Sequence, residues 1–227
     1  MNKCVPVKVW VADLTYTQQT IAADTMPAAV GGIATYLEKE IDLGEPVRIF
    51  KYPEKLAEAL NDGEVPDIIG FSNYIWNFNL SYGFANVIKN KFPKTIVVFG
   101  GPNFPTDSLE QENLMRGHRA MDFYVIKEGE VAFTKLVQAL IENDFNKEAV
   151  HGQLPSVFSI DSGDIFHPAE TVERLTDITQ VPSPYLAGKL DEFFDGKLLP
   201  IIQTNRGCPF TCTFCVEGVG SYGKVYH

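Results

Sequence analysis

The sequence predicts an α/β protein built on a doubly wound parallel sheet. Apolar, strand-like runs alternate with amphipathic, helix-like runs over residues 1–146. The strand-like runs are apolar throughout rather than alternating, the pattern of strands buried on both faces. The composition, 45% hydrophobic and 21% charged, is that of a globular chain and excludes a disordered one.

Residues 5–13 (VPVKVWVAD) read as a first buried strand. A polar loop follows, then a helix predicted from Pro27 to Ile41, with Thr25 as N-cap and Pro27 in the first turn, where its missing N–H is harmless. PVRIFKY at 46–52 is a second strand, and PEKLAEALND at 53–62 a short helix closed by Gly63. PDIIGFSNY at 66–74 is a third strand. The helix after it, roughly 79–91, carries Leu80, Phe84, Val87 and Ile88 on one face. TIVVFGG at 95–101 is a fourth strand, MDFYVIKEGE at 121–130 supplies a fifth, and VAFTKLVQALIEN at 131–143 closes the unit as a helix. Five such strands with four or five helices in about 140 residues fit a flavodoxin-like sheet, in which ligands sit beyond the carboxyl ends of the strands. The loops after Asp13, Gly70, Phe99 and Ile126 are therefore the ones to inspect.

Beyond Asn146 the pattern changes, giving a predicted hairpin and proline-rich linker over 147–196 and a last segment over 197–227. The hairpin turns around Asp161–Ser162–Gly163–Asp164, and VPSPYLAG at 181–188 is a connector. LPIIQT at 199–204 reads as a strand whose end leads into a group of cysteines.

The net charge is −10, from 19 basic and 29 acidic residues, with no lysine or arginine cluster to grip a phosphate backbone. Nucleic acid is not expected as a main partner, though a small anionic ligand could be held locally. No apolar run reaches the roughly 18 residues that span a membrane. The N-terminus lacks the small-residue cleavage site of a signal peptide. Of four cysteines, three crowd together as Cys208, Cys212 and Cys215, whereas a secreted disulfide framework spreads its cysteines along the chain. The crowding points to metal or cluster chemistry in a reducing compartment, so a cytoplasmic location is expected. Spacing alone leaves open an iron–sulfur cluster, a zinc site with Cys4 or a histidine as fourth ligand, or unligated thiols.

The segment Arg206-Gly207-Cys208-Pro209-Phe210-Thr211-Cys212-Thr213-Phe214-Cys215 resembles the signature of the radical S-adenosylmethionine superfamily. The aromatic residue before the third cysteine is part of that pattern. The resemblance implies a 4Fe–4S cluster on Cys208, Cys212 and Cys215, with an open iron that binds S-adenosylmethionine. The sheet in front is similar to the cobalamin-binding domain that precedes the barrel in one radical subgroup. That likeness rests on DIIGFSNY (67–74), VVFGGP (97–102), Glu128-Gly129-Glu130 and the connector Pro182-Ser183-Pro184-Tyr185. It implies cobalamin as a further cofactor, with Ser72, Tyr74, Gly100, Gly101, Gly129 and Glu130 as the positions that hold it. Gly100 and Gly101 would permit close backbone approach, and Ser72 would offer a hydroxyl.

One departure is clear. Histidine-ligating cobalamin proteins carry Asp-x-His-x-x-Gly after the first strand, and here that loop reads Asp13-Leu14-Thr15-Tyr16-Thr17-Gln18. No histidine of this loop reaches the cobalt; Tyr16, Tyr74, Trp76 or a water would cover that face. His118, His151, His167 and His227 are expected to face solvent. The Glu128–Glu130 pair is expected to be solvated and receives no acid–base role; no residue is assigned to catalysis.

Residues 216–227 are all that follow Cys215, while a complete (β/α)₈ barrel needs about 200 residues or more. The chain is thus expected to be the N-terminal portion of a longer enzyme, without turnover on its own. The resemblance implies methyl transfer to an unactivated centre, with a small-molecule substrate and a flavodoxin- or ferredoxin-type electron donor as partners. Cyclisation or rearrangement is the alternative chemistry. A non-catalytic cobalamin- or nucleotide-binding module with a zinc-binding tail is the alternative class.

Overall fold

A computed structural model describes residues 6–18, 20–169, 175–215 and 225. Cys4, His227 and residues 216–224 lie outside the described residues. Strands β1 (Val9–Ala12), β2 (Arg48–Phe50), β3 (Ile68–Ser72), β4 (Ile96–Gly100) and β5 (Phe123–Val125) alternate with helices α1 (Ala28–Glu40), α2 (Pro53–Asn61), α3 (Phe78–Lys91), α4 (Ser108–Gly117) and α5 (Gly129–Glu142). A hairpin follows, β6 (Val157–Ile160) and β7 (Phe166–His167). The sheet order is β2-β1-β3-β4-β5-β6-β7. The first five strands pair in parallel, and β6 and β7 join antiparallel beyond β5. The hairpin is thus part of the sheet, which makes it mixed rather than wholly parallel.

Successive side chains of each strand face opposite ways, and both faces are covered. Val9, Val11, Ile68, Ile96, Val98 and Phe123 pack with α1 and α5. Trp10, Ile69, Phe71, Val97, Phe99 and Tyr124 pack with α2, α3 and α4. This two-sided burial is why the strand sequences lack alternation. Each fully buried aliphatic or aromatic side chain contributes about 1.5–3 kcal/mol. Leu190, Phe193 and Leu198 of the connector join the core under α1 and α5, so the chain is still held to the sheet as it approaches the cysteines.

Several local expectations are corrected. Thr25 does not cap α1: Pro27 occupies the N-cap position, and Thr25 instead forms an isolated parallel bridge with Leu199. That bridge is all that joins the predicted strand at 199–204 to other backbone among the described residues; Pro200–Thr204 lie in no strand. The buried face of α3 is Ser81, Ala85 and Ile88, while Val87 is exposed; small side chains let the helix lie close to the sheet. Helix α4, which the sequence reading omitted, buries only Met115 and is started by the Asp107 carboxylate, which accepts from the Leu109 and Glu110 N–H groups. Among the described residues no helix is long and apolar enough to cross a membrane.

Candidate functional site

Order 2-1-3-4-5 reverses its winding between β1 and β3, and the crevice of such a sheet opens at the carboxyl ends of those strands. The residues just beyond these ends carry polar groups. Lys51 follows β2 and is only 2% exposed. Its Nζ lies 2.9 Å from Asp13 Oδ2, just past β1. Ser72 ends β3 and donates its hydroxyl to Asp13 Oδ1 at 2.5 Å. Asn77 Nδ2 donates to Ser72 Oγ at 3.0 Å. A buried ammonium must be paired to persist in such surroundings, and Asp13 pairs it. The acidic residue of the first loop is therefore engaged by a lysine and a serine from neighbouring strands.

Above this polar floor lies an apolar shelf. Tyr74 stacks on Trp76 with ring centroids 4.6 Å apart and planes 6° from parallel. Trp76 is 51% exposed and its neighbour Ile75 82%. Large apolar side chains left exposed together at a sheet mouth mark a binding surface. Burial, helped by the negative charge of Asp13, raises the Tyr74 phenol above its usual pKa and keeps it protonated.

The glycines beside the site have partners within the chain. Gly101 has φ +134°, and a Cβ there would stand 2.6 Å from the Asn73 carbonyl oxygen. Only glycine lets these two loops meet. Asn73 is fully buried; its amide donates to Asn103 O at 2.8 Å and Tyr124 Oη at 3.0 Å, and the Tyr124 hydroxyl donates to Gly101 O at 2.8 Å. Gly100 packs on Val125, where a Cβ would lie 3.1 Å from the carbonyl oxygen. At Gly129, which starts α5, a Cβ would stand 2.7 Å from Ile33 Cδ1 of α1.

The glutamates are buried, against expectation: Glu128 is 8% exposed and Glu130 5%. Glu128 accepts the Leu175 N–H. Both Glu130 carboxylate oxygens are taken by the Arg206 guanidinium, which enters 76 positions later in the sequence. Of the histidines, His151 is buried, stacked against Phe123 at 5.1 Å. His167 is half-buried, with Nε2 2.9 Å from Asp161 Oδ2, and His118 sits edge-on to Phe78 and Tyr82. These three belong to packing rather than to the carboxyl edge or to open solvent.

The cysteine loop lies beyond the bridge at Leu199. Cys212 is exposed, and Cys208 and Cys215 are half-buried. The Cys215 N–H donates to the Cys212 carbonyl at 3.2 Å. Among the described residues no three His, Cys, Asp or Glu side chains are gathered closely enough to hold a metal ion. The donor chemistry nonetheless suits a cluster, because three thiols on a loop without helix or strand can converge without breaking either.

The sequence reading brought Ser72, Tyr74, Gly100 and Gly101 to one edge, and the structure places them there. Lys51, Asn73 and Asn77 escaped it. The only signal was polar residues directly after apolar strand runs.

Comparison with known proteins fits this geometry. TokK, a cobalamin-dependent radical SAM methyltransferase of Streptomyces tokunonensis, is 29% identical over 205 residues, which is 85% of this chain and 28% of TokK. The 2-(S-pantetheinyl)-carbapenam-3-carboxylate methyltransferase of Streptantibioticus cattleyicolor is 32% identical over 209 residues, 87% of this chain and 29% of that enzyme. The chain thus spans under a third of the length of these relatives. The structure of OxsB, a cobalamin-dependent S-adenosylmethionine radical enzyme with aqua-cobalamin and S-adenosylmethionine bound, superposes with a TM-score of 0.66 at 20% identity, over 92% of this chain and 28% of OxsB. It shows a shared fold. The family model described as B12 binding domain matches residues 16–137, which include the Lys51–Asn77 edge, the Gly100–Gly101 turn and most of α5. With the switch-point crevice and its exposed aromatic shelf, that match places the chain in the B12 binding domain family.

Proposed function

We propose that this chain is the corrinoid-binding portion of a cobalamin-dependent radical S-adenosylmethionine enzyme of the methyltransferase type. The observation that carries the reading is the B12 binding domain match over residues 16–137, which hold Lys51, Ser72, Asn77 and the Gly100–Gly101 turn of the carboxyl edge. Tyr74, Trp76 and Ile75 supply an apolar surface of the kind a corrin face needs. Asp13, Lys51, Ser72 and Asn77 form the polar floor below it, where the first loop offers no histidine to cobalt. Gly100 and Gly101 let the β4 turn pack tightly against Val125 and Asn73 at the side of the crevice. When bound, cobalamin supplies a transferable methyl group. The protein's part would be to hold the ring against the Tyr74–Trp76 surface and keep the Tyr74 proton in place.

In this reading Cys208, Cys212 and Cys215 hold a 4Fe–4S cluster at the start of a barrel that continues past this chain. S-adenosylmethionine is the co-substrate, a flavodoxin- or ferredoxin-type protein the electron donor, and a small molecule the methyl acceptor. The exposed Leu199, Ile201, Ile202, Phe210 and Phe214 suit burial under such a barrel. Cyclase chemistry is the second reading, favoured by a match to the anaerobic magnesium-protoporphyrin IX monomethyl ester cyclase of Synechocystis, 33% identical over 130 residues.

Incubation with hydroxocobalamin followed by desalting tests the cofactor. The protein is expected to retain the red chromophore in about one-to-one ratio; colourless protein overturns the reading. Anaerobic reconstitution with iron and sulfide is expected to give brown protein. A colourless product containing zinc would assign the tail to a structural site instead.

A further inference from the structure

We propose that Glu130 does not contact the cofactor but acts as a positioning residue, fixing the cysteine loop to the carboxyl edge of the sheet through Arg206. Glu130 lies in the first turn of α5, its side chain 7% exposed, and it faces a guanidinium whose own side chain is 16% exposed. Arg206 Nη1 reaches Glu130 Oε2 at 3.0 Å while Nη2 donates to Oε1. This fork-to-fork geometry uses both carboxylate oxygens and fixes direction as well as distance. Arg206 is held from its own side by Gln203, whose Oε1 accepts from Nε at 2.9 Å.

The surroundings are shaped for the pair. Gly129 lets the start of α5 press against Ile33, and a Cβ at Gly32 of α1 would lie 3.6 Å from Glu130 Oε1. The two helices thereby enclose the carboxylate. Arg206 stands two residues before Cys208, so the pair sets where the first thiol begins. Ties at two residues precede it: Leu199 donates its N–H to Asp24 O at 2.6 Å and accepts from Met26 N–H at 2.9 Å, and Ile201 exchanges hydrogen bonds with Tyr185 Oη through its N–H at 3.0 Å and its carbonyl at 2.8 Å. Glu130 adds an anchor two residues before the first cysteine, from the first turn of α5. The inference rests on the cobalamin reading only for its purpose, which is to keep the cysteine loop beside the corrinoid crevice.

The test uses the full chain and iodoacetamide, with each cysteine's alkylation rate read by peptide mass spectrometry. Glu130→Gln, Arg206→Gln and the double variant are compared with the parent. Each single change is expected to speed alkylation of Cys208 and Cys215 about tenfold, towards the rate of exposed Cys212. The double variant is expected to match the singles rather than multiply them, because both remove one interaction. Unchanged rates, or effects that multiply, overturn the proposal. Arg206→Gln alters no residue of the sheet, so its far-ultraviolet circular dichroism is expected to match the parent; if it does not, Arg206→Lys, which keeps the charge but loses the fork, supplies the reading. A parent protein that retains no hydroxocobalamin would sink the cofactor reading while leaving the alkylation result to judge the anchor.

Discussion

Lys51→Met isolates the electrostatics of the polar floor. Lys51 is 2% exposed, and its stem is already enclosed, so methionine of similar length leaves little cavity. What changes is Asp13, which loses the ammonium at 2.9 Å and keeps the Ser72 hydroxyl at 2.5 Å and the Asn77 amide at 3.5 Å. Breaking a fully buried pair costs about 3–5 kcal/mol. Asp13 has a side chain 16% exposed and keeps one strong donor, so about 2 kcal/mol is expected, a fall in Tm of roughly 4–8 °C. Asp13→Asn strands the more deeply buried charge and is expected to cost more, about 3–5 kcal/mol. The double variant Lys51→Met with Asp13→Asn should recover at least about 1 kcal/mol of the summed losses. Urea unfolding followed by Trp10 fluorescence reads all of this, because Trp10 is buried beside Phe50 and the only other tryptophan, Trp76, can be replaced by phenylalanine in the background. A Lys51→Met protein within about 0.5 kcal/mol of its parent, or strictly additive losses, would refute the account of the floor as a coupled charge pair.

Gly101→Ala is expected to cost about 2–4 kcal/mol, because it combines a left-handed φ with a Cβ 2.6 Å from the Asn73 carbonyl oxygen; thermal unfolding checks it, and a Tm near the parent's would count against the backbone contact. Gly129→Ala should cost only about 1–2 kcal/mol, since the obstructing atom is the mobile Cδ1 of Ile33, and Ile33→Val should restore most of the loss. Burial pushes the His151 imidazole below the usual histidine value of 6.5, against the opposing pull of Glu148 and Asp161 and with help from His167 and Lys147. Folding therefore favours the neutral ring. Its contribution is complete above pH 6.5 and is lost as acid protonates the ring, so stability should fall from pH 6.5 downwards and His151→Phe should flatten that slope in denaturant titrations at several pH values. Trp76→Ala removes half-exposed apolar surface from the shelf; about tenfold weaker hydroxocobalamin retention is expected, with Tm almost unchanged.

The sheet was legible because its determinants are local. Runs such as IIGFS and IVVFG are apolar on both faces, and turn residues separate them from helices with one buried stripe. Gly63, with φ +83°, ends α2 where the sequence placed the stop. Helix α4 was invisible because one buried methionine gives no periodic stripe, although Asp107 had left a capping signal. The strand expected at 199–204 failed for the opposite reason: its residues suit a strand, but backbone pairing needs a neighbour, and among the described residues only Thr25 presents one.

The sequence by itself therefore determined the five parallel strands and most of their helices, pointed to the carboxyl edge and grouped the three thiols along the chain, because each depends on residues close together in the chain. Only the tertiary structure decided which charges meet. Lys51 reaches Asp13 across 38 positions and Arg206 reaches Glu130 across 76. No periodicity records such pairs: a buried charge is tolerable only where the fold delivers its counter-charge, and that delivery is settled by strand order and helix packing rather than by neighbours in sequence.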